Sequence, residues 1–324
     1  MNRRKLLLST ALTIGALGTA LDLRAADYPS KPVTIIAASG PGGGYDFIGR
    51  LLAEVLSKQM GASFVVENRA GSGTLIGTQT AAAAAPDGYT LMVGGLSNLV
   101  FNAALYKKLP YNPRDFVPIG VVARFPYLLV ARGDLPQNGF KELLAELRAN
   151  PDRLTIATSG PGSGQEVMAT LFAKSTGTKI TQVPYKSAAP AYQDLLAGRV
   201  DLFLDTLTTA KPHVDSNRLK AIFVTSEKRN VNMPSVPTAA EVGLLQLQMG
   251  TWFGLFAQRG VPPRILEQLR VALRTAVQNG ELAGRLEPLG IELVNLDQAA
   301  TEAFISTEYD RWTKTIKQSG TTLD

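Results

Sequence analysis

Two short stretches carry the residue types best suited to holding a ligand. Ser39-Gly40-Pro41-Gly42-Gly43-Gly44 and Ser159-Gly160-Pro161-Gly162-Ser163-Gly164 share the pattern S-G-P-G-x-G, and each falls between a β-prone run and a helical one. The first turn of a helix leaves backbone N–H groups unpaired and carries the positive end of the macrodipole, which favours an anion by ~0.3 to 1 kcal/mol and by up to ~2 in a sheltered site. Glycines keep side chains away so that an anion can reach those donors. Ser39, Ser159 and Ser163 add hydroxyl donors. One such loop alone is most simply a tight turn; two matched loops in one chain point to a small carboxylate held between them. Phosphate fits less well, because no G-x-x-x-x-G-K-[ST] is present and no G-x-G-x-x-G follows either strand.

Other chemistry has less to stand on. His213 is the single histidine, set among Lys211, Pro212 and Asp215, where a surface or structural role is the ordinary one. No G-x-S-x-G elbow surrounds a serine, and a chain with no cysteine and one histidine cannot assemble the usual zinc sites from side chains. Asp46 and Asp205 are the two acids that a hydrolase or isomerase would pair. Asp46 directly precedes Phe47 and is expected as a helix N-cap. Asp205 ends an apolar strand and either points into a cleft or starts a turn. No cofactor or metal is expected.

The elements that would position the loops alternate along the chain. VTIIAA at 33 to 38, FIGRLLAEVLSKQM at 47 to 60 and SFVVEN at 63 to 68 read as strand, helix, strand. Phe47, Leu51, Leu52, Val55 and Leu56 recur at intervals that give the helix one apolar face. A second cycle begins with LTIATS at 154 to 159, followed by VMATLFAKSTG and KITQVPY. Further strands are expected at 89 to 95, 127 to 132, 200 to 205 and 219 to 226, and helices near 141 to 150, 188 to 198 and 264 to 280. The run AAAAA at 81 to 85 continues a helix that Pro86-Asp87-Gly88 stops. This is an α/β protein with parallel strands, in which ligands lie beyond the carboxyl ends of the strands, where both loops fall.

The first 25 of the 324 residues read as a secretory leader: Arg3, Arg4 and Lys5, an apolar run from Leu6 to Leu21, and Ala25 at the cleavage position. The run is shorter than the ~20 residues of a membrane span and is interrupted by Ser, Thr and Gly. Its twin arginines leave both the Sec and the twin-arginine routes open. Four basic residues and Asp22 leave with it, so half of the net charge of +6 belongs to the leader. The remaining charges are interspersed, with no basic block interleaved with aromatics, and nucleic acid is not expected as a partner. The absence of cysteine fits a free periplasmic protein with neither disulfides nor a lipid anchor.

Longer segments carry a family resemblance. Tyr28-Pro29-Ser30-Lys31-Pro32-Val33, Gly42-Gly43 with Asp46, Val65-Val66-Glu67-Asn68-Arg69 with Gly71, and Pro86-Asp87-Gly88-Tyr89-Thr90-Leu91 resemble the tripartite tricarboxylate transporter receptors, or Bug proteins. So do Leu109-Pro110-Tyr111 with Asp115-Phe116, Val183-Pro184-Tyr185-Lys186, Val236-Pro237-Thr238 with Glu241-Val242-Gly243, and Trp252-Phe253-Gly254-Leu255, with Gly290 and Trp312 beyond. The resemblance runs through nearly all of the chain after the leader. It implies a non-enzymatic periplasmic solute-binding receptor, monomeric, with the two α/β lobes of a type II binding protein. Lobe 1 would be residues 26–125 and 251–324 and lobe 2 residues 126–250, closing about strands near 124–128 and 250–254 on a mono- or dicarboxylate. The captured acid, an aromatic one included, would pass to a membrane permease; a sensory adaptor for the same acid is the alternative. Carried over by position, the ligand contacts would be Ser39, Gly40, Gly42, Gly43, Gly44, Tyr45 and Asp46 in the first loop. Those in the second would be Ser159, Gly160, Gly162, Ser163, Gly164 and Gln165, with Ser97, Ser187, Ala188 and Asp205 besides. The chain departs from the family at Ser39, Tyr45, Gly164, Gln165, Glu166 and Ser187, which separates the question of specificity from that of the carboxylate grip. Tyr45 would either stack on an aromatic acid or stand at the rim.

Overall fold

In the computed structural model, residues 28–319 are described; the leader read at residues 1–25 lies outside them. β1 (Val33–Ala37) is apolar and buried along nearly its whole length because it is central, with β2 (Phe64–Asn68) parallel on one side and β3 (Thr90–Gly95) parallel on the other. Between β1 and β2, α1 (Gly44–Met60) buries Ile48, Leu51, Leu52, Val55 and Leu56, exposes Arg50, and ends on Gly61 in the left-handed region. The helix starts three residues before the position expected from its apolar periodicity, since glycines contribute nothing to that pattern. Its N-cap is Gly43, and Asp46 therefore lies inside the first turn instead of capping it.

α2 (Leu75–Ala82) covers β1, and a π-helical turn at Ser97–Phe101 runs from β3 into α3 (Asn102–Leu105). β4 (Phe116–Arg132) is far longer than the segment 127–132 read as a strand. Its first part, to Pro126, pairs antiparallel with β9 (Gly250–Gln258), and from Tyr127 it pairs with β7 (Leu202–Thr206) and β8 (Leu219–Val224). One strand thus enters both halves of the molecule. α4 (Phe140–Ala149) leads to β5 (Thr155–Thr158), α5 (Gly164–Thr176) and β6 (Thr181–Pro184), then α6 (Ala188–Leu196), β7 and α7 (Leu207–Asp215). β5 lies parallel to both β6 and β7, repeating the β1-centred arrangement.

After β9, α8 (Pro263–Gln278) and α9 (Ala283–Leu286) precede β10 (Glu292–Leu293), which pairs with β4, and α10 (Gln298–Ser319) closes the described chain. The order across the sheet is β2-β1-β3-β9-β4-β7-β5-β6, with β8 and β10 on β4. Two lobes result. One core gathers Ile35, Leu52, Phe125 and Leu255, another Leu128, Val130, Phe203 and Leu207, and a third runs through both lobes from Phe101 and Trp252 to Phe172 and Phe223. α10 seals the first lobe by setting Trp312 edge-on to Phe101 at 5.3 Å. No helix among the described residues is long and apolar enough to cross a membrane.

Thr225 stitches the crossover. Its hydroxyl accepts from the Tyr127 N–H at 2.7 Å and donates to the Met249 carbonyl at 2.5 Å, while its own N–H donates to the Tyr127 carbonyl and its carbonyl accepts from the Met249 N–H. The two strands leave each other at Pro126 and Gly250, and these bonds hold the point of departure together.

Candidate functional site

The two S-G-P-G loops lie at the carboxyl ends of β1 and β5 and open α1 and α5. They are built alike beyond what their sequences suggest. Gly42 and Gly162 both take positive φ, at 83° and 78°. Four residues after each stands an acid that reaches back: Asp46 Oδ2 accepts from the Gly42 N–H at 2.9 Å, and Glu166 Oε2 from the Gly162 N–H at 2.7 Å. Each tie resembles a capping box displaced by one residue, and each holds a glycine turn rigid at the mouth of a helix. The second helix adds a true cap, Ser163 Oγ accepting from the Glu166 N–H at 3.2 Å.

A cavity of about 50 Å³ lies between the loops. From lobe 1 its wall includes Ser39, Gly43, Gly44, Tyr45 and Ser97; from lobe 2, Ser159, Ser163, Gln165, Ser187 and Ala188. The structure therefore brings together ten of the positions carried over from the family. Gly40, Gly42, Gly160, Gly162, Gly164, Asp46 and Asp205 do not line it. Several of these are spacers where the lobes meet. A Cβ on Gly40 would come within 3.2 Å of the Ser187 side chain, and one on Gly162 would lie 2.5 Å from Asn102 Oδ1.

Asp46 is spent on the loop: besides Gly42, its Oδ1 accepts from Asn68 Nδ2 at 3.0 Å and pairs with Arg50 at 2.9 Å. Burial raises its pKa, but the Arg50, Gly42 and Asn68 donors outweigh that and hold it below the usual carboxylate value. Asp205, 1% exposed, stands behind Gln165, whose Nε2 donates to Asp205 Oδ1 at 2.7 Å. Burial raises the Asp205 carboxyl above its ordinary value. The two acids belong to different lobes and neither faces the cavity, so the carboxylate pair of a hydrolase is not assembled there. Among the described residues no cluster of three His, Cys, Asp or Glu side chains is placed to hold a metal.

Tyr45 is not at the rim. It is buried edge-on to Phe253 at 4.9 Å, and its hydroxyl donates to Asn98 Oδ1 at 3.2 Å. His213, as its surroundings suggested, is structural: its ring lies 4.7 Å from that of Tyr192 and its Nδ1 meets Arg218.

Sequence reasoning missed several wall residues, namely Gly73, Thr74, Tyr127, Lys186, Thr206, Thr251 and Phe253. Lys186 matters most for charge. It supplies the one ionised side chain among the lining residues, and none of them is a carboxylate. Its signal in the sequence is the Val183-Pro184-Tyr185-Lys186 segment, which carries the family resemblance and a cation together. Gly73 belongs to a third glycine turn, Gly71-Ser72-Gly73, whose φ values are all positive. A Cβ there would lie 2.1 Å from the Pro161 carbonyl oxygen, so this turn seats directly on the second loop.

The wall thus offers two helix N-termini and serine hydroxyls, with the exposed Lys186 adding a positive charge beside them. Ser159 Oγ is buried with no hydrogen-bond partner in the protein, a donor left for something in the cavity. A more open groove of about 690 Å³ lies at the crossover of β4 and β9, but its lining mixes Arg124, Arg229 and Arg311 with Glu227, Glu287 and Glu292, favouring neither sign of ligand.

Known proteins agree with this architecture. BugT of Bordetella pertussis is 32% identical over 325 residues, spanning 100% of both chains. The solved structure of the periplasmic binding protein BugD matches at TM-score 0.87 and 33% identity, over 91% of this chain and 99% of that one. Rpa4515 of R. palustris, solved with adipate, matches at 0.87 and 32%, over 91% and 99%. MatC of Rhodopseudomonas palustris, solved with bound malate, matches at 0.84 and 31%, over 89% and 100%. The family model described as the tripartite tricarboxylate transporter family receptor matches residues 48–321, and with these likenesses over the whole fold the chain belongs to that family of periplasmic binding proteins.

Proposed function

We propose that this protein is an exported receptor that captures a small organic carboxylate between its two lobes and delivers it to a tripartite tricarboxylate-type permease. The observation that carries the reading is the charge and donor content of the cavity: Lys186, the unpaired Ser159 hydroxyl and the openings of α1 and α5, with no carboxylate among the lining residues. Charge-assisted hydrogen bonds contribute roughly 1.5 to 3 kcal/mol each. A few of them, less the costs of association, are consistent with affinity near the micromolar range, about −8 kcal/mol. Adipate and malate in the related structures support the ligand class. The family supports the permease, and the leader supports export to the periplasm. The lobe boundaries at residues 125/126 and 250/251 are proposed as the planes of a hinged closure, in which the ligand favours the closed form because only there does it touch both lobes.

A calorimetric screen of aliphatic and aromatic mono- and dicarboxylates tests the reading. At least one acid is expected to bind, and Lys186→Met is expected to weaken it about tenfold while leaving the thermal melt of the free protein unchanged. A folded protein that binds no carboxylate at millimolar concentration would refute the assignment.

A further inference from the structure

Gln165 lines the cavity, and its amide has two different ends. Nε2 donates to Asp205 Oδ1 at 2.7 Å. That direction is dictated by Asp205. An ionised carboxylate only accepts, and a neutral one whose proton sits on Oδ2, the oxygen with no hydrogen-bond partner, still presents Oδ1 as an acceptor. Both states leave Oε1 as the end of Gln165 free to meet a ligand, and no bond within the protein uses it. Once a ligand fills the small cavity and displaces its water, that acceptor needs a donor, because a polar group left unpaired there loses its hydration without replacement. The carboxylate of the ligand supplies only acceptors. The donor must therefore stand elsewhere on the molecule.

We infer that the receptor selects hydroxy acids, Gln165 Oε1 accepting from the hydroxyl and Asp205 acting as the positioning residue that turns the amide. An ammonium would also donate, but Lys186 on the same wall disfavours a second cation, which leaves the hydroxyl. The inference rests on the carboxylate-receptor reading and adds a class within it.

The experiment is calorimetry on the full mature chain with two matched series, propionate, lactate and alanine, and succinate, malate and aspartate. The hydroxy acid is expected to bind about tenfold or more tighter than its plain parent in at least one series, a ratio in keeping with one hydrogen bond to an otherwise unpaired group. Gln165→Leu is expected to bring that ratio close to one. Asp205→Asn, whose amide can present either end to Gln165, is expected to lower it several-fold, whereas a merely structural loss would weaken all acids alike and keep the ratio. Thermal melts report folding; if Asp205→Asn does not fold, the Gln165→Leu ratio decides. Equal binding of plain and hydroxy acids, preference for the amino acid, or an unchanged ratio in either folded variant overturns the inference and leaves the receptor reading standing. Failure of every acid to bind overturns both.

Discussion

Asp205 is a carboxyl in the core of a lobe with no cation beside it, and its energetics follow from that. Burial raises its pKa in the folded protein, so as the pH climbs past the ordinary value near 3.8 the unfolded chain releases its proton first. Stability is therefore lost between the unfolded and the folded pKa and stays lower above both. Asp205→Asn should melt a few degrees higher than the parent at pH 7, with the gap closing as the pH falls below about 4. Melts recorded across that range check it, and a gap independent of pH would show that the ionisation is not its source. The sequence left Asp205 open between cleft and turn; its position depends on the β4 to β7 register, which sets Leu128 opposite it and which no local pattern encodes. Asp46 was misplaced for a related reason. An acid at a helix start serves equally as N-cap or as a first-turn acceptor, and the difference lies in glycine dihedrals that a sequence does not display.

At the scale of elements, the two loops behave as prefabricated parts. Gly43 has φ −85°, open to any residue, and a Cβ there would meet Ser39 Oγ at 3.1 Å. Gly43→Val should accordingly fold yet fill the approach to the α1 donors, weakening carboxylate binding at least about tenfold; calorimetry on a variant with an unaltered melt checks this, and retained affinity would remove the α1 terminus from the grip. Both loops were legible because four adjacent identical residues recur in matching strand-to-helix contexts, and the β1, β2, β5 and β7 strands were legible because their apolar runs are short and bounded by turn residues. β4 was not. Pro118, Gly120 and Pro126 break its pattern, and the structure accommodates the first two at a shift of register. α7 carries Pro212 inside it, which breaks the helical signal, and the polar sequence of α10 conceals a helix held by Trp312 and Ile316.

For the whole molecule, the decisive contacts are those between lobes. The Gly73 turn meets the second loop through backbone at distances that leave no room for a methyl group. Gly73→Ala should hold the lobes apart: the free protein stays folded, affinity drops tenfold or more, and small-angle scattering no longer shows a contraction when the acid is added. A variant that still contracts would place the seam elsewhere. The two lobes themselves were legible in the family resemblance and in the repeated strand-helix-strand cycle, whereas this seam was not, because it joins residues about ninety positions apart in sequence.

The tied glycine turn occurs once in each lobe, which makes the receptor bivalent toward a single ligand. If the grip is shared evenly, an acid held at about −8 kcal/mol by the pair keeps only about −4 with either alone, the difference between micromolar and millimolar dissociation. Parting the turns by a few ångströms then discharges the cargo without altering a single donor, since what is lost is the local concentration of the second half-site. On the proposed function, a membrane partner would need only to pry the turns apart, with no need to compete for the acid.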